Sequence, residues 1–209
     1  VEVDTPATSG DALDVLHFDL TAPDLRGYAW DFPTPIGGRV EMCRGVYDLG
    51  PVTRDPSERL LGRSQAAPIS KARRFGERGV SLAQAMGRGN VLLIGEAAGI
   101  DPVLGEGIAQ AILYGEMAAR RIVARQRQRQ ARFEDARSEL LRGRLGLDLG
   151  VRGRALGFTY GVTRSVMERS IVADDSLARA GLAYFAGRRV SHGNLKRALA
   201  SLAKSALAS

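Results

Sequence analysis

Residues 95–108 read GEAAGIDPVLGEGI, which sets Gly95, Gly99, Gly105 and Gly107 around Glu96, Asp101 and Glu106. A short apolar run, VLLI (91–94), comes before them. From Gly107 to about Arg129 the apolar residues Ile108, Ile112, Leu113, Met117 and Ile122 recur at helical spacing. The glycines thus sit where a strand hands over to a helix. The first turn of a helix presents N–H groups without partners and about half a positive charge. Glycine lets an anion or an electron-rich carbonyl approach such a backbone closely. Glu96, at the strand end, is placed to accept hydrogen bonds from ligand hydroxyls, since open α/β sheets bind ligands beyond the carboxyl ends of their strands. The competing reading is a tight turn that packs on itself and binds nothing.

A second group of residues lies upstream. YAWDFP (28–33) puts Tyr28, Trp30 and Phe32 at period two, so all three rings project from one face of an extended segment. Such a face is either a flat apolar wall for a ligand or part of a sheet core. Other chemistry is sparse. Cys43 beside Arg44 fits a small core residue better than a reactive thiol. Asp4/Asp11 and Asp174/Asp175 read as solvated or capping acids. Arg73-Arg74 and Arg188-Arg189 read as surface charge, with an anionic ligand as the alternative. His17 and His192 lie far apart, so no metal-ligand spacing exists, and no Ser/His/Asp or Cys/His arrangement supports a hydrolytic nucleophile.

The elements that must position these residues follow from pattern. LDVLHFDL (13–20), YAWDFP and RVEMCRGVYDL (39–49) read as strands, with TPIGG (34–38) as a hairpin turn. The first 11 residues are polar and read as frayed. SERLLGRS (57–64) reads as a short helix, and residues 66–75 as extended. VLLI, apolar throughout, fits a strand covered on both faces, as in parallel sheets. Residues 131–209 read as several helices broken by glycines.

The 209 residues carry one cysteine, which excludes an intrachain disulfide, and no apolar run approaches the ~18–20 residues that span a bilayer. No secretory leader follows Val1, and a cytoplasmic protein is expected. Charge is uneven. Residues 1–119 hold 11 Lys/Arg against 16 Asp/Glu, a balance of −5; residues 120–209 hold 19 against 7, a balance of +12. A basic tail points to an anionic surface, and its scarcity of aromatics argues against single-stranded nucleic acid. No nucleic-acid partner is expected. The charged stretch 121–145 could lie on an anionic membrane, or cover the domain as an ordinary helix.

GEAAGIDPVLGEGI resembles the second flavin-binding signature of the p-hydroxybenzoate-hydroxylase-like flavoproteins, GDAAG…P…G.G. Its D-P-x-x-G-E-G-I portion is similar to the geranylgeranyl reductase branch. PDLRGYAWDFP (23–33) resembles the P…Y-x-W-x-F-P segment of the same reductases. Together the matches span residues 22–120. The resemblance implies FAD as cofactor, with Gly95, Glu96, Pro102, Gly105, Glu106, Gly107 and Ile108 binding it. It implies that Glu96 holds the ribityl chain and that Tyr28, Trp30 and Phe32 line a lipid pocket. The family usually carries Asp at the position of Glu96, so the carboxylate here reaches about a bond length further out. The family's strand–GxGxxG–helix segment does not occur in this sequence.

The fold expected is α/β, of the mixed α+β kind: part of an antiparallel substrate-binding sheet (1–80), the second half of a Rossmann-like FAD-binding region (81–128), and a helical carboxyl-terminal region (129–209). The activity implied is FAD-dependent reduction of carbon–carbon double bonds in an isoprenoid or related lipid, with the catalytic proton donor unassigned. The partners implied are a hydrophobic small-molecule or isoprenoid substrate and peripheral membrane contact through the basic helices. Two other functions fit the residues: a flavin-dependent aromatic monooxygenase or halogenase, and a non-catalytic interaction module with a basic docking tail.

Overall fold

Gly37 and Gly38 both adopt left-handed backbone, φ 57° and 81°. Two such residues in succession make the tight turn whose twist matches that of paired strands. They join β3 (Gly27–Ile36) to β4 (Arg39–Asp48), and the turn alone then fixes the register: Tyr28 opposite Tyr47, Trp30 opposite Gly45, Phe32 opposite Cys43. β2 (His17–Asp19) pairs with the other edge of β3, and β1 (Glu2–Pro6) with β4, giving an antiparallel sheet of order β1-β4-β3-β2. The structure, a computed structural model, describes residues 1–21, 25–50, 60, 67–81, 83–129, 132–186, 188 and 190–207. The helix expected over 57–64 falls outside these apart from Leu60, as does Arg189.

Two sequence expectations need correction at this sheet. Residues 1–11 are not frayed throughout, because Val3 and Thr5 alternate inward from β1 and are buried. The strand expected over 13–20 shrinks to three residues, and Leu13, Val15 and Leu16 face solvent.

The sheet has two different faces. On one, Val3, Ala29 and Val46 form a core with Leu25 and Leu60. The buried Arg44 lies on this side, donating from Nε to Thr5 Oγ1 (3.0 Å), from Nη1 to Asp31 Oδ1 (2.8 Å) and from Nη2 to Asp11 Oδ1 (2.7 Å). A guanidinium with three planar partners loses little on leaving water. The opposite face carries Tyr28, Trp30 and Phe32.

The chain divides into two compact units, Val1–Gly153 and Arg154–Ser209. In the first, residues 67–78 run beside β1, where Arg73 N–H donates to Glu2 O and Ile69 N–H to Asp4 O, both at 2.8 Å. Val91–Leu92 (β6) then pairs antiparallel with Gly87–Arg88 (β5) around a turn at Gly89. VLLI therefore does not form a doubly covered parallel strand: Val91 is 57% exposed and Ile94 also faces solvent. A single 3-10 turn, Gly95–Ala97, leads through the glycine-rich loop into α1 (Ile108–Arg127), followed by α2 (Ala136–Arg142) and the start of α3 (Arg144–Tyr160). Met86, Tyr114, Phe133, Ala136, Leu140, Leu145 and Leu149 make the second core.

α1 is turned about its axis relative to its sequence pattern. Its buried side is Gln110, Tyr114, Ala118 and Arg121, while Ile108, Ile112, Ile122 and Val123 are exposed. Polar anchors decide this: Tyr114 Oη donates to Gly99 O (2.9 Å), and Arg121 pairs with Asp135 and Glu139. Within the charged stretch 121–145, Phe133, Ala136, Leu140 and Leu145 are core residues of this unit, while Ile122, Val123 and Leu141 are exposed.

The second unit holds the end of α3 and then α4 (Arg164–Ala173), α5 (Ser176–Phe185) and α6 (His192–Leu207). α4 meets α6 through small residues. Ser170 Oγ donates to Ser201 Oγ (2.8 Å), which donates in turn to Ser170 O (3.2 Å). The described residues thus form a mixed α/β molecule with one four-stranded antiparallel sheet and six α-helices.

Candidate functional site

The glycine-rich loop and the aromatic strand, 76 residues apart in sequence at their point of contact, touch directly. Tyr28 Oη donates to Leu104 O at 2.7 Å, and Tyr47 Oη donates to Pro102 O at 3.2 Å. Burial pushes both phenols above their ordinary pKa, so they act as neutral donors. Around them the rings form a continuous surface. Centroids are 5.6 Å apart for Tyr28–Trp30, 6.1 Å for Trp30–Phe32, 5.5 Å for Tyr28–Tyr47 and 4.9 Å for Phe18–Phe32. Trp30 lies over Gly45, where an added Cβ would come within 1.8 Å of the indole. The absence of a side chain at Gly45 is what lets the indole lie flat on the sheet. Trp30 and Phe32 remain half-buried.

The loop itself is built on glycines that no other residue replaces easily. Gly95, Gly99 and Gly105 have φ of 57°, 104° and 66°. At Gly99 a Cβ would also lie 2.5 Å from Val80 Cα, because Val80 N–H donates to Ile100 O and draws the two strands of chain together. Asp101 answers part of what the acids are for. It is fully buried, accepts the Val103 N–H at Oδ1 (2.8 Å) and takes Arg152 Nη1 at Oδ2 (2.7 Å). Arg152 also donates from Nε to Asp148 (2.9 Å). The loop is therefore clamped to α3 by a buried ion pair.

Glu96 and Glu106 are exposed at the rim, and Pro102 is buried beneath them. At the mouth of α1, Ile108 N–H donates to Glu106 Oε1 (3.3 Å), and Ile108 itself is exposed. Among the described residues no acceptor meets the amides of Gly107 and Ala109. One turn in, the buried Gln110 Oε1 finds no donor. The space beside Gly105 is taken by Glu77, whose Oε2 would lie 2.1 Å from a Cβ there, with Tyr47 at 3.0 Å. Partial burial, with Glu96, Glu106 and Asp101 nearby, pushes the Glu77 carboxyl above its ordinary pKa. Ile100 closes against Gly107.

The structure thus brings together all ten residues singled out in the sequence, in two groups joined by the tyrosine hydrogen bonds. Sequence reasoning missed Tyr47, Glu77 and Arg152, and it singled out Asp101 without its buried pairing. Tyr47 was within reach, since the Gly37-Gly38 turn sets it opposite Tyr28. Nothing in the spacing of Glu77 or Arg152 marks them. Of the other candidates, Cys43 has its thiol pKa raised by burial, as befits an inert side chain, and Arg73 pairs with Glu2 (2.9 Å) and Asp4 (3.3 Å) on β1.

Among the described residues, no group of three or more His, Cys, Asp or Glu side chains is placed to hold a metal ion. A wide hollow of about 520 Å³ elsewhere, lined by Arg121, Asp135, Ser138, Glu139, Arg142 and Gly143, has no aromatic wall. No protein-family model matches the chain, and no curated protein or solved structure matches it either.

Proposed function

We propose that this chain forms the substrate-facing and ring-binding portion of an FAD-dependent oxidoreductase that reduces carbon–carbon double bonds in an isoprenoid or related lipid. The single observation that carries the reading is the contact between its two motifs. The aromatic face of the sheet is hydrogen-bonded to the carbonyls of Pro102 and Leu104, beside the mouth of α1. A hydrophobic substrate on that wall therefore lies next to the loop whose amides would receive the cofactor.

The chain's own groups suit a flavin in three respects. Gly95, Gly99 and Gly105 give the loop its left-handed backbone, the amides of Gly107 and Ala109 meet no acceptor among the described residues, and the buried Gln110 carbonyl has no donor. Glu96, exposed at the 3-10 turn, would accept from ribityl hydroxyls. FAD, when bound, supplies the hydride chemistry. The protein's part is to hold the ring edge at the α1 amides, to shield the apolar substrate from water with Tyr28, Trp30 and Phe32, and to keep the Tyr28 and Tyr47 hydroxyls donating to the Leu104 and Pro102 carbonyls.

Glu77 opposes this most directly, because its carboxylate occupies the place beside Gly105, where Tyr47 also stands, and Ile100 closes against Gly107. The Glu77 carboxylate is the end of a flexible, exposed side chain that rotates away at small cost. The same observation favours a second reading, in which Glu77 closes the loop permanently and the chain serves as an interaction module. FAD titration decides between them. Under the first reading the chain or its Glu77→Gln variant acquires a visible band near 450 nm and quenches flavin fluorescence, and the variant binds more tightly because a repelling charge is gone. A chain and a variant that both carry no such band once excess FAD is removed by desalting, and that leave flavin fluorescence unquenched, overturn the first reading.

A further inference from the structure

The second unit carries an outward helix face whose composition departs from that of an ordinary solvated surface. α6, HGNLKRALASLAKSAL, contains no acidic residue. It packs inward through Ala198, Ser201 and Ser205, small side chains that bury little apolar area. Its leucines are elsewhere. Leu195 is 48% exposed, Leu199 57% and Leu207 89%. At about 100° per residue, Leu195, Leu199, Leu202 and Ala206 fall within about 60° of one another on one shoulder of the helix. Lys196 and the exposed Ala200 and Ala203 follow on the outer surface, and Lys204 and Arg197 occupy the far shoulder.

The unit that carries this face is basic on balance. Residues 154–209 hold nine Lys/Arg against three Asp/Glu, a balance of +6. Asp174, at the end of α4, faces Arg197 and Lys204 and accepts from Ser176 N–H. Arg197 also donates to Asn194 (2.7 Å).

We propose that α6 is a docking helix for an anionic phospholipid surface, with Leu195 and Leu199 entering the boundary between headgroups and acyl chains while Lys196, Arg197 and Lys204 sit among the headgroups. Leucines beside long cationic side chains suit that boundary, because the stems of the lysines reach back to the charged layer as the apolar side sinks. Nucleic acid fits the charge but leaves the leucines in water. A second copy fits the leucines but sets like charges against one another. The anionic bilayer satisfies both.

The test uses the full chain and sucrose-loaded vesicles of phosphatidylcholine, with and without about a third phosphatidylglycerol. Co-sedimentation is expected with the anionic vesicles, weakening as salt is raised, and not with the neutral ones. A Leu195→Asp/Leu199→Asp variant with an unchanged circular-dichroism spectrum loses binding by more than about tenfold. Lys196→Gln/Lys204→Gln loses about fivefold per charge. Leu147→Asp, at an exposed leucine of the first unit, leaves binding as it was. Equal binding to neutral and anionic vesicles, no binding to either, or full binding by the double aspartate variant overturns the proposal. So does a leucine-dependent dimer or DNA complex formed in place of vesicle binding. None of these measurements needs flavin, so their outcome is independent of the redox reading.

Discussion

Asp101 shows how one buried carboxylate can organise a loop. It holds the Val103 amide with one oxygen and Arg152 with the other, and neither charge is open to solvent. Removing the guanidinium leaves a charge buried without its partner, a change that typically loses about 3–5 kcal/mol. Arg152→Met should therefore lower stability by about that much in urea denaturation, and adding Asp101→Asn should restore a large part of it. A loss below about 1 kcal/mol in the single variant would show that the pair is not the clamp described. The sequence displayed Asp101 inside the glycine motif, but gave no sign of its partner 51 residues away. Pairings of that kind depend on how a helix docks, which short-range pattern does not encode. The rings of Tyr28, Trp30 and Phe32 were legible because period two is a local property of extended chain, as was the turn at Gly37-Gly38.

At the level of elements, the hairpin was readable and the region after residue 80 was only partly so. β3 and β4 follow from alternation and a two-glycine turn, and they fix Trp30 over Gly45. Gly45→Ala should displace the indole and destabilise the sheet by about 1–3 kcal/mol. Trp30 is the sole tryptophan, so its emission reports the displacement directly. Unchanged emission and an unchanged melting curve would argue against the close stacking. VLLI misled because an apolar run states only that burial would be favourable, not that a neighbour is present to provide it. Here it pairs over two residues and leaves Val91 outside. α1 was foreseen in length but not in rotation. Its isoleucines gave the strongest period, yet Tyr114 and Arg121 had hydrogen bonds to make in the interior and settled which side faced in.

At the level of the whole molecule, ion pairs tie the elements of the first unit together, and they set how it responds to acid. The hydrogen bond from Arg121 holds Asp135 below its ordinary pKa. Burial raises that of Asp11, but the hydrogen bonds from Arg44 and Thr8 outweigh it and the net direction is down. Carboxylates depressed in the folded state contribute stability above their unfolded pKa and lose it as pH falls through the folded one. The melting temperature should stay nearly level from neutral pH to about 5 and drop steadily below about 4. Arg121→Gln should flatten the part of that decline owed to Asp135. A chain whose melting temperature rises on acidification would contradict the arrangement. Raised salt, which screens exposed partners such as Asp135 more than the buried Asp101, should loosen the α1–α2 junction before the glycine-rich loop.

The outward isoleucines of α1 have a calorimetric meaning. Side chains already wetted in the native state add nothing to the hydration change when the chain unfolds. Ile108, Ile112, Ile122 and Val123 are therefore apolar residues that composition counts and the transition does not. The heat-capacity increment of this protein should fall below the usual ~12–15 cal/mol/K per residue, giving a shallow stability curve that changes little between cold and warm conditions.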